Sequence, residues 1–76
     1  MGEKIRLFTA REIERLLSRY GFILISQKGS HRKWRNMSTG RQVIVPSHAG
    51  RTLPLGTLRN ILTNAEIPEH EWRLAR

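Results

Sequence analysis

The chain contains no cysteine, which excludes disulfides, thiolate nucleophiles and cysteine-based zinc sites together and leaves packed apolar side chains to hold the fold. Acidic residues are scarce as well. Six Asp and Glu stand against 14 Lys and Arg, a formal net charge of +8 on 76 residues. No apolar run approaches the roughly 20 residues that a bilayer demands. No signal-like hydrophobic block follows Met1-Gly2-Glu3-Lys4-Ile5-Arg6, so the expectation is a cytoplasmic protein with no membrane partner. Repeats and low-complexity segments are absent too. The length suits a single domain over residues 1–76 with a small core and modest stability. An excess of positive charge on so short a chain is the footprint of a protein that meets phosphates, or of one whose basic face is covered by an acidic companion.

Residues 1–8 show no period and read as an N-terminal extension. Thr9-Ala10-Arg11-Glu12 has capping-box spacing and opens a helix in which Ile13, Leu16, Leu17 and Tyr20 form one apolar stripe, with Gly21 placed to end it. Phe22 to Gln27 is aromatic and β-branched, a strand buried on at least one face. Gly29 and Ser30 make a turn into a second strand, His31 to Asn36. Its alternation sends His31, Lys33 and Arg35 one way and Arg32, Trp34 and Asn36 the other, with Trp34 marking the inward face. Met37 to Gly40 is a hairpin turn, and Arg41 to Val45 a third strand closed by Pro46. After a loop with His48, Gly50 and Arg51, a second helix starts near Pro54 with Leu55, Leu58, Ile61, Leu62 and Ala65 as its stripe. Residues 68–76 suggest a short C-terminal helix. The order is α-β-β-β-α, an α+β two-layer sandwich: a three-stranded antiparallel sheet with both helices on one face and the other face open.

Lys28-Gly29-Ser30-His31 delivers an imidazole into a strand thick with positive charge. Histidine can accept and donate a proton near neutral pH, so this placement suits phosphodiester chemistry on a polyanion. An ordinary exposed hairpin histidine would look the same. His48 is a candidate second acid or phosphate contact, whereas His70, between Glu69 and Glu71, reads as a helix-surface residue. No neighbouring Cys, Asp or Glu completes a ligand set for His31 and His48, so neither a metal nor another cofactor is expected. Trp34 and Trp72 are candidate stacking platforms, with core packing the stronger reading for Trp34. Arg41, Arg51 and Arg59 either widen the basic surface or are plain solvated charges.

The order of Gln27-Lys28-Gly29-Ser30-His31, then Val45-Pro46 with His48 and Gly50, then Leu53-Pro54 with Gly56-Thr57-Leu58-Arg59-Asn60-Ile61-Leu62 resembles the HicA family of bacterial toxins, from about Thr9 to Trp72. The resemblance implies a fold like the double-stranded-RNA-binding domain. It also implies an mRNA interferase: the toxin of a type II toxin-antitoxin system, cutting mRNA to stop translation and held in check by a HicB antitoxin. It makes His31 the catalytic residue. Many members carry a second histidine directly after it, where this chain has Arg32, so an adjacent histidine pair is not implied.

RNA supplies its own nucleophile, the 2′-hydroxyl, and cleavage then needs a base, an acid and positive charge on the phosphate. In that scheme His31 is the base or the acid. Lys28, Arg32, Lys33 and Arg35 hold the backbone, with Gly29 and Ser30 offering N–H groups to a phosphate oxygen. Two other classes fit the same residues: a non-catalytic RNA-binding module, and a small protein whose charge serves an acidic partner.

Overall fold

A computed structural model describes residues 7–72 of the chain. The elements are α1 (Ala10–Arg19), β1 (Phe22–Lys28), β2 (His31–Asn36), β3 (Gln42–Pro46), α2 (Leu55–Asn64) and a 3-10 turn at Glu69–Glu71. The strands form one antiparallel sheet in the order β1-β2-β3. This is the expected α-β-β-β-α arrangement, an α+β fold like the double-stranded-RNA-binding domain.

Helix α1 begins where its capping box says it should. The Thr9 hydroxyl accepts from the Glu12 N–H at 3.2 Å, and the Glu12 carboxylate accepts from the Thr9 N–H at 2.9 Å, so two otherwise orphaned donors are satisfied. At the other end Gly21 takes φ +90, a left-handed value that an L side chain adopts only with strain. Ile13, Leu16 and Leu17 bury the inner stripe against Leu58, Ile61 and Leu62 of α2 and against Trp34, Val43 and Val45 of the sheet. Both helices therefore cover one sheet face. The opposite face, carrying His31, Lys33, Arg35 and Ile44, has no element packed on it among the described residues.

Several expectations need correction. Phe8, assigned to a loose extension, is 2% exposed and belongs to the core. Its carbonyl accepts from the Leu53 N–H at 2.8 Å, beside a Thr9–Thr52 bridge, so the chain is stitched to the loop before α2 from Phe8 onward. Strand β1 was expected to bury a face, but only Phe22 is buried while Ile23, Leu24 and Ile25 stay exposed. The cause is position: β1 is an edge strand, and Ile23, opposite Arg35, lies on the open face. Leu55 is exposed as well, leaving Leu58, Ile61, Leu62 and Ala65 as the stripe of α2. Arg41 lies just outside β3. The C-terminal helix is reduced to the 3-10 turn at Glu69–Glu71, and residues 1–6 and 73–76 lie outside the described residues.

Polar side chains close the corners of the sandwich. Asn36 is buried, and its amide donates to the Tyr20 carbonyl at 2.9 Å while its Oδ1 accepts from the Ser38 and Thr39 N–H groups at 2.8 and 3.1 Å. One side chain thus fixes both the end of α1 and the β2–β3 turn. Replacing it by alanine orphans three backbone groups, and Asn36→Ala is expected to cost about 2 kcal/mol in urea unfolding. Across the molecule the Tyr20 hydroxyl donates to Glu71, whose carboxylate also lies 3.6 Å from the Arg19 guanidinium.

The hydrogen bond to Glu71 raises the Tyr20 phenol above its ordinary 10.0, with desolvation and the Glu71 charge adding to it. A group raised on folding contributes stability that is complete below its unfolded value and is lost as the pH climbs through the raised one. Thermal melts through about pH 9 to 11 should show this alkaline loss, and Tyr20→Phe should lose less over the same range.

Candidate active site

The β1–β2 turn positions the candidate histidine. Lys28 and His31 are cross-strand partners, which leaves a two-residue loop of Gly29 and Ser30. Gly29 has φ +59, whereas Ser30 does not enter the left-handed region, a pattern that fits the II′ hairpin turn. No atom crowds the Gly29 α-carbon. Its backbone angle, rather than space, requires the missing side chain.

A β-bulge decides which residues stand beside His31. Leu24 pairs with Trp34, but the next pair is Ser26 with Lys33, so β1 carries one extra residue. The shift puts Lys28 opposite His31 on the open face and Gln27 opposite Arg32 on the helix face. Nothing in the hydrophobic pattern of Phe22 to Gln27 announces the bulge.

On the open face Ser26, Lys28, His31, Lys33 and Ile44 line a shallow depression of about 390 Å³. His31 is exposed and Lys33 half-buried. Arg35 lies on the same face, further along β2 opposite Ile23 and Gln42, and does not line the depression. Lys28, Lys33 and Arg35 have no ion-pair partner among the described residues. Arg19, Arg32 and Arg41, in contrast, pair with Glu71, Glu14 and Glu66. The sequence carries the reason: no Asp or Glu occurs between Glu14 and Glu66, so all three strands are free of acid. Phosphate approaching this face meets cations that no nearby carboxylate neutralises.

Arg32 stands apart from the other strand cations. Its Nε donates to Glu14 of α1 at 2.6 Å and its Nη1 to the Gln27 side-chain oxygen at 2.8 Å. The same Glu14 oxygen accepts from the Trp34 indole N–H at 2.9 Å. The Gln27 amide in turn donates to the Gly29 carbonyl at 3.0 Å. Gln27 is a residue that residue-by-residue reading gave no function; its place directly before Lys-Gly-Ser-His was the available signal.

His48 is not brought into the depression with His31. It lines a separate hollow of about 400 Å³ on the helix side, with Thr9, Arg11, Glu14, Arg32 and Ser47 among its walls. The two hollows share no lining residue, and the loop that carries His48 is tied to the turn before His31 by the Ser47 N–H, which donates to the Ser30 carbonyl at 2.7 Å. Both tryptophans are engaged inside: Trp34 is 8% and Trp72 6% exposed, and the Trp72 indole donates to the Ile67 carbonyl at 3.0 Å. Neither is free to stack on a base. Arg41 binds the Asn64 carbonyl and Glu66, holding the C-terminal end of α2. Among the described residues no group of three or more His, Cys, Asp or Glu is gathered to hold a metal, and no helix is long and apolar enough to cross a membrane.

Comparison with curated proteins and with solved structures gives no significant match. A family model described as the HicA toxin of bacterial toxin-antitoxin systems matches residues 10–67, which takes in both helices, the whole sheet and the His31 turn. The chain therefore belongs to the HicA family of toxins of bacterial toxin-antitoxin systems.

Proposed function

We propose that this toxin is a metal-independent endoribonuclease that cleaves mRNA in the cytoplasm, arrests translation, and is neutralised by a HicB-type antitoxin. The observation that carries the reading is an exposed imidazole, His31, set with Lys28 and Lys33 around an open depression on a sheet free of acid.

The chemistry uses the substrate's own nucleophile. His31 takes the proton of the ribose 2′-hydroxyl, the 2′-oxygen forms a bond to phosphorus, and the bond from phosphorus to the 5′-oxygen breaks. The lining of the depression includes no second histidine and no carboxylate, so the proton that the departing 5′-oxygen gains comes from the ammonium of Lys28 or Lys33 or from water. The products are a 2′,3′-cyclic phosphate and a 5′-hydroxyl. Lys28 and Lys33 stabilise the charge that grows on the phosphate oxygens, and the Gly29 and Ser30 N–H groups offer further donors at the turn. Arg35 holds the chain further along the strand through its backbone phosphates, a contact without base preference. The toxin-antitoxin pairing implies a partner that must silence this activity, and an acidic surface laid over Lys28, His31 and Lys33 would do so.

His31→Ala removes the proton acceptor from an exposed site, so cleavage should fall by roughly 100- to 10,000-fold while stability changes by less than about 0.5 kcal/mol. Growth arrest on expression should vanish with it. Purified wild-type protein should cut RNA in EDTA. Binding without chain scission under those conditions would make the protein an RNA-binding module and not a nuclease.

A further inference from the structure

We infer that Arg32 is a positioning residue for His31: it works through Gln27 to hold the catalytic turn, and it is not a phosphate ligand. The inference rests on the endoribonuclease reading for its kinetic consequences, but the structural claim stands on hydrogen bonds alone.

The observation is a continuous relay. Glu14 on α1 accepts from Arg32 Nε, Arg32 Nη1 donates to the Gln27 oxygen, and the Gln27 amide donates to the Gly29 carbonyl inside the turn. Each link constrains the next. Helix α1 fixes Glu14, whose oxygen is shared with the Trp34 indole, a group anchored in the core. The guanidinium is a planar fork with donors in fixed directions, and here two of them span from helix to strand. With its oxygen taken by Arg32, the Gln27 side chain presents its NH2 toward the turn.

Geometry also sets Arg32 apart from the phosphate-binding cations. Successive side chains of β2 point to opposite faces, so Arg32 lies on the helix side while His31 and Lys33 flank it on the open side. Its charge is compensated by Glu14 at 2.6 Å, with the two side chains 26% and 14% exposed. Two of its five N–H donors are committed to these partners, and Arg32 lines the hollow on the helix side and not the depression that holds His31. The residue directly after the turn histidine is therefore the far end of a brace whose near end is Gly29. Such a brace matters because proton transfer depends steeply on placement; a misplacement of about 1 Å costs up to roughly 100-fold in rate.

The test uses Arg32→Lys, which keeps the charge and loses the fork, and Gln27→Glu, which keeps an acceptor for Arg32 and loses the donor to Gly29. Steady-state cleavage of a short RNA should show kcat falling by roughly ten- to 100-fold in each variant. In Arg32→Lys, which conserves the charge, KM and the salt dependence of binding should stay as in the wild type. Combining the substitutions should cost little more than either alone, because both cut one relay. Without RNA, amide exchange at His31, the ladder residue that closes the turn, should quicken by roughly ten-fold in both variants, while melting curves show both folded. A raised KM with a salt slope shallower by about 0.7 in Arg32→Gln would instead mark a phosphate contact and overturn the assignment. Unchanged exchange in Gln27→Glu would overturn it as well. Should the wild type cut no RNA, the nuclease reading falls alone, since the exchange measurement still decides whether the brace exists.

Discussion

The period-two alternation of β2 is the constraint on which the rest depends. Trp34 is buried on one side of the strand, and Lys33 and Arg35 flank it on the other. Burying a tryptophan removes roughly 150 to 250 Å² from water, worth about 4 to 6 kcal/mol at 25 cal/mol per Å². A slip of one residue would surrender that and drive two cations into the core, so the register has no competitor. Because the strand cannot slip, the face carrying His31 is as firmly specified as the core, although no core residue touches it. Stability and chemistry occupy opposite sides of the same six residues.

Charge follows the same division. The acidic side chains Glu14, Glu66 and Glu71 each tie a cation into the scaffold. Lys28, Lys33 and Arg35 stand on the open face with no such partner among the described residues. The three pairs are neutral and leave the net charge of +8 to the other ionised groups, of which Arg11, Arg15, Arg51 and Arg59 lie on the helices and the loop before α2. What distinguishes the open face is that Lys28, Lys33 and Arg35 stand together there on strands without acid, where a polyanion can reach them.

Local chemistry made most of the architecture legible. The capping box of Thr9 and Glu12, the Gly29-Ser30 turn and the alternation around Trp34 each act within a few residues, and each formed as their spacing predicts. What escaped the sequence depends on distant partners. Phe8 has no periodic neighbours, and its burial is decided by the loop at Leu53. The exposure of Ile23 to Ile25 follows from the place of β1 at the sheet edge and from the bulge within it, both set by pairing with β2. Glu66 ends α2 with φ 59, a position where glycine is the usual signal, and the Glu66 and Ile67 N–H groups close on the Thr63 and Leu62 carbonyls without it. At the site, His31, Lys28 and Lys33 were readable from one hairpin. The separation of His48 from His31, and the diversion of Arg32 toward Glu14, were not, since both depend on where α1 docks.

The extra residue in β1 has a bearing on how copies of this chain behave in a crowded solution. Ile23, Leu24 and Ile25 put a greasy fringe along the unpaired margin of the sheet, the kind of border on which strands from separate molecules stack into fibres. A bulge in that same stretch kinks the border out of line. A second molecule would find no straight template there, so the irregularity that seats Lys28 beside His31 also guards the protein against zippering onto itself.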